Sequence, residues 1–122
     1  MDIKKRVLRF KQAMDGIISA WHSGVHFRIQ FFAAIIVIVM AWLTKVNPVE
    51  WAILLVCVAL VLGSEMFNSA IEQLSDLYTL EENVHIRIVK DISAGAVLIS
   101  AFIASIVALI IFTSHWMNFS NP

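Results

Sequence analysis

Residues 92–114 run for 23 positions without one charged side chain, and few folds accept such a run. A helix rises 1.5 Å per residue, so about twenty apolar residues match the ~30 Å hydrocarbon layer of a bilayer. In lipid the backbone has no water to bond with, and a helix satisfies its own N–H and C=O groups. The run therefore predicts a transmembrane helix. A second uncharged run of 16 residues covers positions 29–44, with Trp42 near its end as an interfacial anchor and Arg28 and Lys45 placed to snorkel. The rest of the composition agrees: 60% hydrophobic residues, 15% charged and a mean hydropathy of +0.83 describe a membrane protein rather than a soluble domain.

Between these runs, Asn47-Pro48-Val49-Glu50 supplies a cap residue, a proline at the first helical position and a glutamate at the third, so another helix starts there after a tight hairpin. Its charge-free part, residues 51–64, is too short to cross a bilayer, and the helix has to continue to about Tyr78. Ahead of the spans, Ile3, Val7, Phe10, Met14, Ile17 and Trp21 recur at steps of four and three among Lys and Arg, a pattern that predicts a helix lying in the headgroup region. Gly24 interrupts it. The expected fold is thus all-α and integral to the membrane, a single domain over 1–122. It comprises an N-terminal amphipathic surface helix (2–23) and three transmembrane helices (29–46, 48–78 and 84–114).

Formal net charge is zero, yet Lys4, Lys5, Arg6, Arg9, Lys11 and Arg28 all fall in the first 28 residues. Read by the positive-inside rule, that asymmetry puts the N-terminus and the 79–91 segment in the cytoplasm and the C-terminus outside; nucleic-acid binding is the poorer reading. No cleavable signal peptide is expected. Cys57, the one cysteine, sits in an apolar run and reads as a buried, inert thiol.

One stretch is expensive for such a chain. In residues 63–76, Glu65, Asn68, Glu72 and Asp76 follow at steps of three, four and four, which a helix gathers into one stripe with Ser69 beside it. Phe67, Ala70, Ile71 and Leu74 take the other side. A carboxylate at bilayer depth costs roughly 2.5–3.5 kcal/mol on insertion scales and marks a cavity, a partner or a substrate. One subunit of this size encloses little of a polar site, so oligomerisation is expected. Carboxylates near Lys90 at a membrane surface suit a divalent cation with phosphates, since Mg²⁺ takes one or two carboxylates and fills its shell with phosphate oxygens and water. No Walker-type phosphate loop is present. On residues alone, phosphoryl transfer, ion or proton translocation along the stripe, and a structural polar interface between subunits all stay open.

Two blocks go further. Glu65-x-x-Asn68-Ser69-Ala70-Ile71-Glu72-x-x-x-Asp76, followed after the same interval by Lys90-Asp91-x-x-Ala94-Gly95-Ala96-Val97-Leu98, resembles the signature of the small prokaryotic diacylglycerol kinase and undecaprenol kinase family. Phe10-Lys11-x-Ala13-x-x-Gly16 and Glu50-Trp51 add to the resemblance, which covers roughly residues 5–113. It implies a homotrimer of three-span subunits with sites between subunits, transferring the γ-phosphoryl group of ATP to a membrane lipid alcohol with Mg²⁺ in the bacterial cytoplasmic membrane. It implies Glu65 as general base, Asn68 as orienting group and Glu72 as metal and ATP-phosphate ligand. Lys90, Asp91 and the Glu81-Glu82-Asn83 turn would hold ATP, with Asp76 and Ser69 in support. The Ala94 to Leu98 variant leans towards the undecaprenol kinases. The competing reading is a non-enzymatic membrane oligomer, either a degenerate lipid-binding homologue or a proton- or ion-translocating subunit.

One position departs from that pattern. The family has a metal-binding glutamate three residues before Phe27, where this chain has Gly24. His22 and His26 are near in sequence, but imidazole suits zinc or copper better than magnesium, and both read as interfacial or packing histidines. Waters or another acid such as Asp15 are the expected replacements.

Overall fold

A computed structural model describes residues 2–121, and they form four helices: α1 (Ile3–Ser23), α2 (Val25–Leu43), α3 (Pro48–Tyr78) and α4 (Val84–Ser120). Three of them, α2, α3 and α4, are long and apolar enough to cross a membrane. The architecture is therefore all-helical with three candidate spans, and α4 runs on past Ser114 to Ser120.

Each helix ends for a local reason. Gly24 adopts extended angles (φ −129°, ψ 115°) between α1 and α2 while its N–H still donates to the Ala20 carbonyl at 3.2 Å. The corner is held by aromatic packing, with Trp21 of α1 edge-on to Phe31 and Phe32 of α2 at centroid separations of 5.3 and 5.9 Å. At the other end of α2, Lys45 takes a left-handed conformation (φ 54°). Its N–H donates to the Trp42 carbonyl, and the Val46 N–H donates to that of Ala41. This is a Schellman closure with lysine where glycine is usual, and left-handed backbone costs a residue with a Cβ roughly 1–2 kcal/mol. The adjoining Val46–Ala41 burial offsets that cost.

Helix α3 then begins with the capping box expected from its sequence: the Asn47 side chain accepts from the Glu50 N–H, and the Glu50 carboxylate accepts from the Asn47 N–H, both at 2.9 Å. The same carboxylate oxygen lies 2.8 Å from Nε2 of His115, which fastens α4 to the start of α3. Beside this pair Ala41, Val46, Leu54 and Ile111 form the buried cluster of the molecule, packed by Trp51 and Phe112 among others.

The antiparallel pair α3–α4 is the spine, α2 packs along α3, and α1 touches the others only near its C-terminal end. At the α3–α4 turn, the Thr79 hydroxyl accepts from the Glu81 N–H, and the Asn83 side chain caps α4 by accepting from the N–H groups of His85 and Ile86. Most apolar side chains of the spans, Ile36, Leu60, Leu98, Phe102 and Ile110 among them, remain exposed on a single chain. That is the surface of a protein whose surroundings are lipid or further subunits.

Candidate active site at the acidic stripe

The polar stripe on α3 changes character along its length. Glu65 is only 4% exposed and Asn68 9%, whereas Glu72 and Asp76, one and two turns beyond Asn68, are exposed. Ser69 is half-buried on the flank, where its hydroxyl lies 3.7 Å from the point a Cβ on Gly24 would occupy. Because Gly24 precedes the first turn of α2, this contact fixes the depth of the stripe. Glu65 lies about one turn inside the start of α2, and Glu72 about one turn outside it.

The opposite flank of α3 faces α4. An open apolar cleft of about 450 Å³ runs there, lined by Ser64, Phe67, Ile71, Val89, Ile92 and Ser93. The stripe thus sits in a groove with the α1–α2 corner on one side and α4 on the other. Across its outer end Lys90 donates to Asp76 at 2.7 Å. Lys90 and Asp76, assigned to the site from sequence, are therefore in direct contact. Asp91, Glu81, Glu82 and Asn83 lie on exposed backbone at this end of the molecule, and Asn83 is committed to capping α4.

Two features were not apparent from the sequence pattern. The titratable neighbours of Glu65 are Glu72, two turns along α3, and His26 from the first turn of α2. His26 stands two residues past Gly24, and only folding at that corner brings it near Glu65. The second feature is Asn68, whose Oδ1 is fully buried and accepts no hydrogen bond from any described residue. A buried acceptor without a donor costs about 1–3 kcal/mol, and such a group points to something that binds there.

The donors available to a cation are hard oxygens: the carboxylates of Glu65 and Glu72 and the unpaired Asn68 Oδ1. That set suits Mg²⁺, which accepts one or two carboxylates and draws its remaining ligands from phosphates and water. Among the described residues no three His, Cys, Asp or Glu side chains converge as a closed metal site. Gly24 supplies no side-chain ligand, although a Cβ at this position would meet its neighbours only at 3.5 Å or more.

Three helices long and apolar enough to cross a membrane, with a buried acid on α3 and a lysine–aspartate pair and an open apolar cleft towards the same end, are the features of a multi-pass membrane protein with a polar candidate site. Comparison with known proteins narrows that class. Residues 11–112 match the family described as prokaryotic diacylglycerol kinase, and the chain belongs to that family. It is 31% identical over 103 residues to an undecaprenol kinase of Bacillus subtilis, a match covering 84% of each chain. A diacylglycerol kinase of Escherichia coli is 32% identical over 101 residues, covering 83% of each chain. A diacylglycerol kinase of Synechocystis is 35% identical over 103 residues, which are 83% of this chain and 58% of the relative. Membership supports lipid kinase activity and a multi-pass place in a bacterial membrane, with ATP as the co-substrate that a kinase implies.

Proposed function

We propose that this protein transfers the γ-phosphoryl group of ATP to the hydroxyl of a membrane lipid alcohol, undecaprenol or diacylglycerol, at the cytoplasmic face. The observation that carries the reading is Glu65: a carboxylate 4% exposed in a membrane helix, one turn from an Asn68 oxygen that nothing in the chain satisfies. A buried acid at the lipid–water boundary is placed to receive a proton from a hydroxyl that stays in the membrane.

In this reading the lipid enters sideways through the cleft between α3 and α4, its apolar body against Phe67, Ile71 and Ile92. Glu65 accepts the hydroxyl proton as the lipid oxygen forms its bond to the γ-phosphorus; the bond to the bridging oxygen breaks, and ADP leaves with that oxygen. Asn68 orients the reacting groups. Glu72, together with phosphate oxygens, would hold Mg²⁺, and when bound that ion would supply charge neutralisation for the triphosphate. Lys90 exchanges Asp76 for phosphate, a substitution open to an ammonium whose present partner is half exposed. Asp91, Glu81, Glu82 and Asn83 contact the nucleotide from the water side, while Ser69 and Asp76 support the stripe. The same reading has the chain act as a homotrimer, with α1 on the membrane surface, the N-terminus in the cytoplasm and the C-terminus outside. Sites between subunits close over the exposed faces of the spans.

Relatives named for each lipid alcohol match at similar identity, so the acceptor is a matter for assay. Purified protein is supplied with radiolabelled ATP and either undecaprenol or diacylglycerol, and wild type is compared with Glu65→Gln. Label should enter one of the lipids, and Glu65→Gln should slow the transfer about a hundred- to ten-thousandfold, the range for loss of a general base. Absence of any Glu65-dependent labelling would point instead to a lipid-binding or ion-translocating oligomer.

A further inference from the structure

Helix α1 is almost wholly uncovered. Every residue from 2 to 19 is exposed, and burial begins only at Ala20. Its apolar side chains form a seam all the same: Ile3, Val7, Phe10, Met14 and Ile17 lie on one face with 42–76% of their surface open. A seam of that size on a helix is not left to water.

Charge says what covers it. Helical geometry sets Lys4 and Lys11 along one edge of the seam and Arg6 and Arg9 along the other, with Lys5 on the back. Five cations against the single acid Asp15 give α1 an excess of four positive charges, in a chain whose total is zero. Among the described residues no acidic side chain pairs with any of the five. The corner at Gly24, pinned by Trp21 on Phe31 and Phe32, roots this helix where α2 enters the bilayer. The surface within reach is therefore the headgroup layer of the adjoining leaflet. An apolar seam edged by lysine and arginine dips into the acyl boundary and leaves its cations among the headgroups.

We infer that α1 is a docking element for anionic lipid headgroups, held by the Lys4, Lys5, Arg6, Arg9 and Lys11 cluster and not by its apolar seam alone. Each lysine or arginine close to an anionic membrane surface is worth roughly a fivefold gain in binding, and the attraction fades within a Debye length. The apolar seam then contributes depth, and the cations contribute the preference for anionic lipid. This inference rests on the placement of α1 at the membrane surface in the proposed reading, adds its lipid preference, and is tested without catalysis.

The experiment uses the full chain in vesicles of phosphatidylcholine, with or without phosphatidylglycerol. Cys57 is changed to Ala and Val7 to Cys, which then carries a polarity-sensitive fluorophore. Phosphatidylglycerol should shift the emission to the blue and lower the access of an aqueous quencher roughly tenfold or more, as expected for several cations acting together. Added salt should reverse both effects. Changing Lys4, Lys5, Arg6, Arg9 and Lys11 to Gln should abolish the dependence on phosphatidylglycerol, whereas changing only the three lysines to Arg should keep it and so control for a folding defect. Equal shielding in both vesicle types, indifferent to salt, would overturn the inference. So would shielding that follows protein density and crosslinking between α1 helices, because a second copy would then be the cover.

Discussion

At the scale of single residues, the candidate site turns on one carboxylate, one amide oxygen and one missing side chain. Glu65 and the Asn68 Oδ1 are buried within a helix long and apolar enough to cross a membrane, where burying polar groups is costly, while Gly24 faces Ser69 across a gap that admits a Cβ at ordinary contact distance. Its extended backbone suits any amino acid, so the glycine answers no conformational demand. Gly24→Glu should therefore fold normally and place a second carboxylate beside the stripe. If the metal role given to Glu72 is right, this variant reaches half-maximal lipid phosphorylation at a lower Mg²⁺ concentration than wild type, measured by titrating Mg²⁺ at fixed ATP. An unchanged Mg²⁺ requirement would mean that the position is silent in this chain. The stripe itself was legible in the sequence because a three-four-four spacing can only mean one helical face. Its neighbours were not, because the approach of His26 to Glu65 and the fit of Gly24 to Ser69 depend on how α2 meets α3, which no local pattern encodes.

At the scale of elements, helix ends were more readable than helix partners. Asn47-Pro48-Val49-Glu50 announces a capping box, and the structure forms it; Gly24 announces a break and makes one. The sequence did not announce that Glu50 also binds His115, 65 positions away, or that Lys45 adopts a left-handed turn usually given to glycine. Because one Glu50 oxygen serves both the cap and the contact with α4, the two are energetically linked. Asn47→Ala should destabilise the protein by about 1 kcal/mol, as loss of an N-cap does. His115→Ala should lower the thermal midpoint in detergent, yet add little once Glu50→Ala is in place. A double-mutant cycle on unfolding checks this directly, and additive effects would show that the histidine acts independently of the carboxylate.

For the molecule as a whole, two of the three membrane-length helices followed from charge-free length, since hydrocarbon thickness sets a minimum that few other structures meet, and the third from a capped helix start whose short charge-free run had to be carried further. How a single copy leaves so many large apolar side chains uncovered concerns its surroundings, and sequence periodicity speaks only of faces, not of what lies against them. The three spans also differ in length, with 19 residues in α2, 31 in α3 and 37 in α4. At 1.5 Å per residue α2 measures about 28 Å, close to the hydrocarbon layer, while α3 and α4 reach well past it. In the proposed arrangement α2 would gauge the bilayer and α3 would be the scale read against it, with Glu65 and Glu72 as marks on either side of the waterline. Thickening the membrane drowns the next mark in hydrocarbon; thinning it wets Glu65. Kinase rate measured across vesicles of increasing acyl-chain length should accordingly pass through a maximum, making membrane thickness a control on this enzyme's chemistry that requires no ligand.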